Sequence, residues 1–237
     1  MQHPALEAAS INGVMFDLWN TLVYTDFHPN PIAALANAFG LDAAPDWRRQ
    51  IERAIMTRRL SGISEAIDAI AQATGRDISA GTTRRDLILL WGEASNRSRL
   101  ASDALPALRS LREFHDGGRR YRLGILSNTQ SFDLDFIERE GLAALVDDIC
   151  LSSDCGLLKP DPRLYTHAAG RLGLAPGSIL MVGDNFTDDV EGARRAGLGA
   201  VQLDRRGLTA GSFASLADLA SALTGRLSAG ADSNGRA

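Results

Sequence analysis

Cysteine is nearly absent from this 237-residue chain, which has Cys150 and Cys155, five residues apart across an apparent strand end. So few thiols exclude a disulfide framework and fit reduced cysteines in a cytoplasmic protein. A metal pair is not expected of them either, because zinc sites need more ligands than these. Excess positive charge is lacking too: the net charge is −4, so non-specific binding to nucleic acid or to an anionic membrane is not expected. No apolar run approaches the roughly 20 residues of a membrane span. Met1 to Ser10 has neither a basic start nor an apolar stretch, so no signal peptide is expected there. What remains is an ordinary globular composition, 45% hydrophobic and 23% charged, long enough for one large α/β domain or a core with an insert.

Strand-like segments are predicted at 11–17, 121–127, 147–151, 178–183 and 200–203, with helical patterns at 132–140, 163–172 and 188–196 between the later ones. That alternation predicts an α/β fold: a doubly wound parallel sheet with helices on both faces. The first two strands are too far apart for one crossover helix. Residues 29–100 show no strand and four helical stretches, at 32–39, 47–60, 63–74 and 82–99; a fifth, 103–115, returns to the core and is stopped by Gly117-Gly118. The expected division is a core of residues 1–25 and 101–227, a helical-bundle cap over 26–100, and a disordered Gly/Ser-rich tail at 228–237.

Chemistry-bearing residues cluster at the ends of these strands. In Gly13-Val14-Met15-Phe16-Asp17-Leu18-Trp19-Asn20-Thr21 an apolar run ends abruptly on a carboxylate, as a buried parallel strand does when it delivers an acid to the sheet's carboxyl edge. Asp17 is a candidate nucleophile or metal ligand, with a turn-capping role as the rival. Thr21 can donate to that carboxylate or to a bound phosphate. Ser127-Asn128 ends the second strand with neutral donors that suit phosphate, although such pairs also form ordinary turns. Lys159 precedes Pro160-Asp161-Pro162, where Asp161 fits as a helix N-cap; a fixed cation there would screen a carboxylate from an anionic substrate. Asp184, Asp188 and Asp189 repel one another unless a cation joins them, and oxygen-only ligands suit Mg²⁺. Asp188 is assigned to the helix dipole, leaving Asp184 and Asp189 with Asp17 as the metal set.

These four motifs, in this order, resemble the haloacid dehalogenase superfamily of aspartate-nucleophile hydrolases and phosphatases, over residues 14 to 203. The resemblance implies Asp17 as nucleophile, Ser127 and Lys159 holding the transferring group, and a Mg²⁺ site of Asp17, the Trp19 backbone carbonyl, Asp184 and Asp189. It implies a helical cap and a small phosphorylated metabolite as substrate; with the charge arguing against a nucleic-acid or membrane partner, a monomer or homodimer is expected. One residue departs from the pattern. Trp19 stands where the family's phosphatases carry the Asp that protonates the leaving oxygen, and an indole cannot do that. Tyr24, Asp26 or His28 in the following loop are candidate replacements, and Arg48, Arg49, Arg58 and Arg59 of the cap are candidate anion contacts. Dehalogenases of the superfamily also lack that Asp, so carbon–halogen or carbon–phosphorus hydrolysis is the alternative. A weakly active phospholigand-binding or regulatory protein is a third.

Overall fold

The computed structural model describes residues 11–115 and 120–225. Met1–Ser10, Gly117-Gly118 and the tail at 228–237 lie outside them. Five parallel strands form the main sheet: β1 (Gly13–Phe16), β4 (Arg122–Ser127), β5 (Asp148–Leu151), β6 (Ile179–Gly183) and β7 (Gly199–Gln202), in the order β5-β4-β1-β6-β7. The chain runs outward from β1 through β4 to β5, then crosses back to β6 and β7 on the other side. β1 is therefore central, with Met15 opposite both Gly124 and Met181. Such a reversal opens a crevice at the carboxyl ends of the strands.

Alternating side chains seal both faces, as the two-residue period of a strand requires. Val14, Phe16, Ile125 and Val182 pack with Leu108 and Leu111 of α5 (Ala104–Glu113) and Leu216 and Leu219 of α10 (Leu216–Thr224). Met15, Leu126 and Met181 pack on the opposite face with Leu164, Tyr165 and Ala168 of α8 (Pro162–Arg171). No helix among the described residues is long and apolar enough to cross a membrane.

Between β1 and α5 lies the helical insertion: α1 (Pro31–Ala38), α2 (Trp47–Ile55), α3 (Ile63–Thr74) and α4 (Arg84–Asn96). These helices bury a separate cluster that includes Leu35, Phe39, Ile51, Ile55, Ile67, Ile70 and Trp91. The stretch expected to lack strands contains one. Residues Ser98–Leu100 (β3) pair antiparallel with Val23–Thr25 (β2), a ribbon of three residues a side too short to show an alternating pattern. Two helices are also shorter than their sequence pattern. The 47–60 pattern stops at Ile55, because Leu60 turns away to exchange backbone hydrogen bonds of 2.8 Å with the Ser131 hydroxyl. The 132–140 pattern becomes α6 (Phe136–Arg139): Phe132 packs into the insertion's core, and Asp133, at φ 56°, accepts from Trp91 Nε1 at 2.9 Å. Tertiary packing overrides helical periodicity in both places.

Candidate active site

Asp17 follows β1 directly, and its amide donates to the Val182 carbonyl at 2.8 Å, extending the ladder one bond past the strand. Lys159 meets it from the turn before α8. The ammonium lies 2.6 Å from Asp17 Oδ1 and 2.6 Å from Asp189 Oδ1, and at 3% exposure it is an enclosed cation rather than a solvated one. Asn128 holds the lysine's backbone from the end of β4: Lys159 N donates to Asn128 Oδ1 at 2.7 Å, and Asn128 Nδ2 donates to the Lys159 carbonyl at 3.1 Å. Asp161 caps α8 by accepting from Arg163 N at 3.0 Å.

Asp189 reaches Lys159 from a π-helical turn, Phe186–Glu191, that follows β6. Such turns are rare and occur frequently at functional sites. Asn185 donates its amide to Asp189 Oδ2 at 3.0 Å, and a Cβ at Gly183 would overlap the Asp189 carboxylate. Only glycine lets the acid lie across the strand end. Asp184, beside it, lines the same cavity as Asn20. Asn20 takes a left-handed φ of 59°, which asparagine tolerates.

Carboxylate oxygens of Asp17, Asp184 and Asp189 all lie within 4.8 Å of one another. Burial, joined by Asp189, raises the Asp17 carboxyl to about 7 against the attraction of Lys159. Burial and Asp189 likewise push Asp184 above its ordinary range. Burial opposes the charged form of Lys159, but Asp17 and Asp189 outweigh it and hold its pKa above the usual lysine value. Three carboxylates thus share one ammonium. The set is short of positive charge and all-oxygen in its free ligands, which fits a divalent cation such as Mg²⁺.

A cavity of about 230 Å³ joins these groups to the insertion: Asp17, Trp19, Asn128, Lys159, Asp184 and Asp189 below, with Ile32, Arg48, Glu52, Met56, Trp91 and Ser95 above. Two of the residues expected at the site do not line it. The hydroxyls of Thr21 and Ser127 are buried with no hydrogen-bond partner, and Thr21 borders a separate depression with Tyr24 and Asp184. Trp19 is wedged edge-on against Phe136, ring centroids 5.8 Å apart, with Nε1 donating to Thr129 Oγ1 at 2.9 Å.

The loop candidates for the missing acid fall outside the cavity. Asp26 is exposed and pairs with Arg97 at 3.2 Å, and His28 is exposed. Of the four insertion arginines, Arg48 reaches the cavity, Arg59 pairs with Asp154, and Arg58 is exposed. Arg49 ties the insertion to the core by an ion pair with Asp188 and a 2.9 Å hydrogen bond to the Lys159 carbonyl. Asp188 lies in the first turn after β6, as its helix-dipole assignment expects, and is in addition buried and paired with Arg49, burial raising its pKa against that arginine's pull. Sequence reasoning missed Glu52, a buried carboxylate on the cavity wall bridged by Arg48 and Arg49 at 2.8 Å each. Its signal was the helical spacing of four and three residues from those arginines.

A family model described as haloacid dehalogenase-like hydrolase matches residues 11–197. The chain is 33% identical to glyceraldehyde 3-phosphate phosphatase of Methanopyrus kandleri, over 44% of this chain and 42% of that protein. It is 30% identical to (S)-2-haloacid dehalogenase of Pseudomonas sp. strain YL, over 83% and 84%. Across the first curated phosphatases it matches, the chain spans 26–64% of their length. A crystal structure titled HAD phosphatase from Thermococcus onnurineus shares the fold, with a TM-score of 0.58, 22% identity, and coverage of 88% and 96%.

Proposed function

The chain belongs to the haloacid dehalogenase-like hydrolases, and from that premise we propose that it is a Mg²⁺-dependent phosphatase acting on a small anionic ester through Asp17. An Asp17 carboxylate oxygen bonds to phosphorus as the ester P–O bond breaks, and the leaving alkoxide takes its proton from water, since Trp19 supplies none. Water then cleaves the aspartyl-phosphate, releasing inorganic phosphate and restoring the carboxylate. Lys159 screens the anionic ester from Asp17, and Asn128, on the cavity wall, would donate to a phosphoryl oxygen, a role that Ser127, outside the cavity, does not share. Mg²⁺, held by Asp17, Asp184, Asp189 and the Trp19 carbonyl, would neutralise charge on the transferring group. Asp189 orients Lys159. The helical insertion acts as a cap that excludes bulk water and restricts the substrate to small metabolites.

The observation that carries this reading is the convergence of Asp17, Asp184 and Asp189 around one buried lysine. A panel of phosphorylated metabolites tests it. Turnover is expected with Mg²⁺, lost in EDTA and lost in Asp17→Asn; full turnover by folded Asp17→Asn, shown free of amide hydrolysis, would end the nucleophile assignment. Trp19 favours a second reading, cleavage of a carbon–halogen bond, in which no leaving oxygen needs a proton. Turnover of 2-chloro acids in excess EDTA, with none on phosphate esters, would establish it instead.

A further inference from the structure

The two thiols gain a third partner from the fold. Cys150 points from β5 into the packed face beneath α8, and Cys155 ends a short helix, α7 (Ser152–Cys155). Their sulfurs lie 3.5 Å apart. His167, on the exposed side of α8, brings a ring nitrogen so close that all three ligand atoms fall within 4.8 Å of one another. Zn–S bonds of about 2.3 Å in a tetrahedral shell set two sulfurs roughly 3.8 Å apart, so the pair needs to move only a few tenths of an ångström to share an ion.

We propose that Cys150, Cys155 and His167 form a binding site for a soft divalent cation of the zinc class, separate from the carboxylate set at Asp17, with water as the fourth ligand. Soft sulfur and imidazole donors select such ions over Mg²⁺, which prefers oxygen. Binding replaces two thiol protons with two metal–sulfur bonds and releases the protons to solvent. Burial and the neighbouring Cys155 push the Cys150 thiol up against a weaker pull from Arg171, so the bound ion itself must stabilise the thiolate. Exposure of His167 leaves an entry path. The ion would join α7 to α8, the two elements bracketing the turn that carries Lys159, and so clamp that turn at both ends.

The test uses the full chain, reduced and saturated with Mg²⁺ so that the carboxylates are occupied, and titrated with Zn²⁺ against a chromophoric chelator. One zinc per chain is expected, with both thiols protected from alkylation. Cys155→Ser and His167→Ala should each weaken zinc by at least the roughly 10–100-fold that losing even an outer-shell partner costs. Cobalt(II) in place of zinc should show a sulfur-to-metal charge-transfer band that is weakened in Cys155→Ser. Undiminished zinc affinity in His167→Ala would overturn the three-ligand site. Zinc uptake that leaves thiol reactivity unchanged would also overturn it. So would a reduced protein that ignores zinc but oxidises in air to a Cys150–Cys155 disulfide.

Discussion

Replacing Lys159 with methionine removes a charge while nearly keeping volume, and so isolates the electrostatics of the pocket. Lys159 is 3% exposed and is the ammonium between Asp17 Oδ1 and Asp189 Oδ1, each 2.6 Å away. Removing one partner from such a buried group costs about 3–5 kcal/mol, because the remaining carboxylates stay desolvated and uncompensated. Against a total stability of about 5–15 kcal/mol, that is a large loss. With a urea m-value of about 3 kcal/mol/M, the midpoint in EDTA should fall by about 1–2 M, with the slope unchanged. Magnesium should restore much of it, since a ligand at a hundred times its Kd contributes about 2.7 kcal/mol. The gain should exceed that of wild type, because three carboxylates without an ammonium attract a dication more strongly. Paired urea titrations in EDTA and in Mg²⁺ measure both effects. A Lys159→Met midpoint in EDTA equal to that of wild type would refute the enclosed ion triad. An equal Mg²⁺ gain in both proteins would refute the placement of the metal beside it.

Trp19→Asp should speed hydrolysis of alkyl phosphates by up to the about 10²–10⁴-fold that a positioned acid contributes, with little change on aryl or acyl phosphates; an unchanged ratio of alkyl to aryl rates would show that another group already supplies the proton. The same variant loses the Thr129 hydrogen bond and the Phe136 contact, so thermal unfolding should register it as less stable. A double-mutant cycle of Arg49→Ala with Asp188→Asn should give a coupling of about 0.5–3 kcal/mol, and hydrogen exchange across 47–55 should quicken in Arg49→Ala; a coupling of zero would show that the ion pair contributes nothing to holding the insertion on the core. Burial pushes Asp103 up, but two hydrogen bonds from Arg205 and the Leu216 amide outweigh it and hold its carboxyl below the usual range. Its contribution is therefore full above the unfolded value of about 3.9 and is lost as pH falls through the lowered folded value. Asp103→Asn should cost about 1–2 kcal/mol at neutral pH, a deficit that disappears in acid; a deficit unchanged by pH would assign the effect to packing.

The parallel sheet and the identity of the strand-end carboxylates were legible in the sequence by itself. Buried parallel strands are continuous apolar runs, and the residue that ends each run is the one delivered to the sheet edge. That local rule located Asp17, Ser127 and Asp184, and helix-start chemistry located Asp161 beside Lys159. Exposure, partner and sign of charge were decided by the tertiary structure, because each depends on residues far away in the chain. Lys159 is enclosed because Asp17, 142 residues away, and Asp189 close on it. Asp188 gained a second partner because Arg49, 139 residues away, reaches it from the insertion. The 132–140 helix broke because Phe132 was drawn into the insertion's core, and His167 joined two thiols because α8 packs over β5. Periodicity records what a segment prefers alone; burial decides which preferences survive contact.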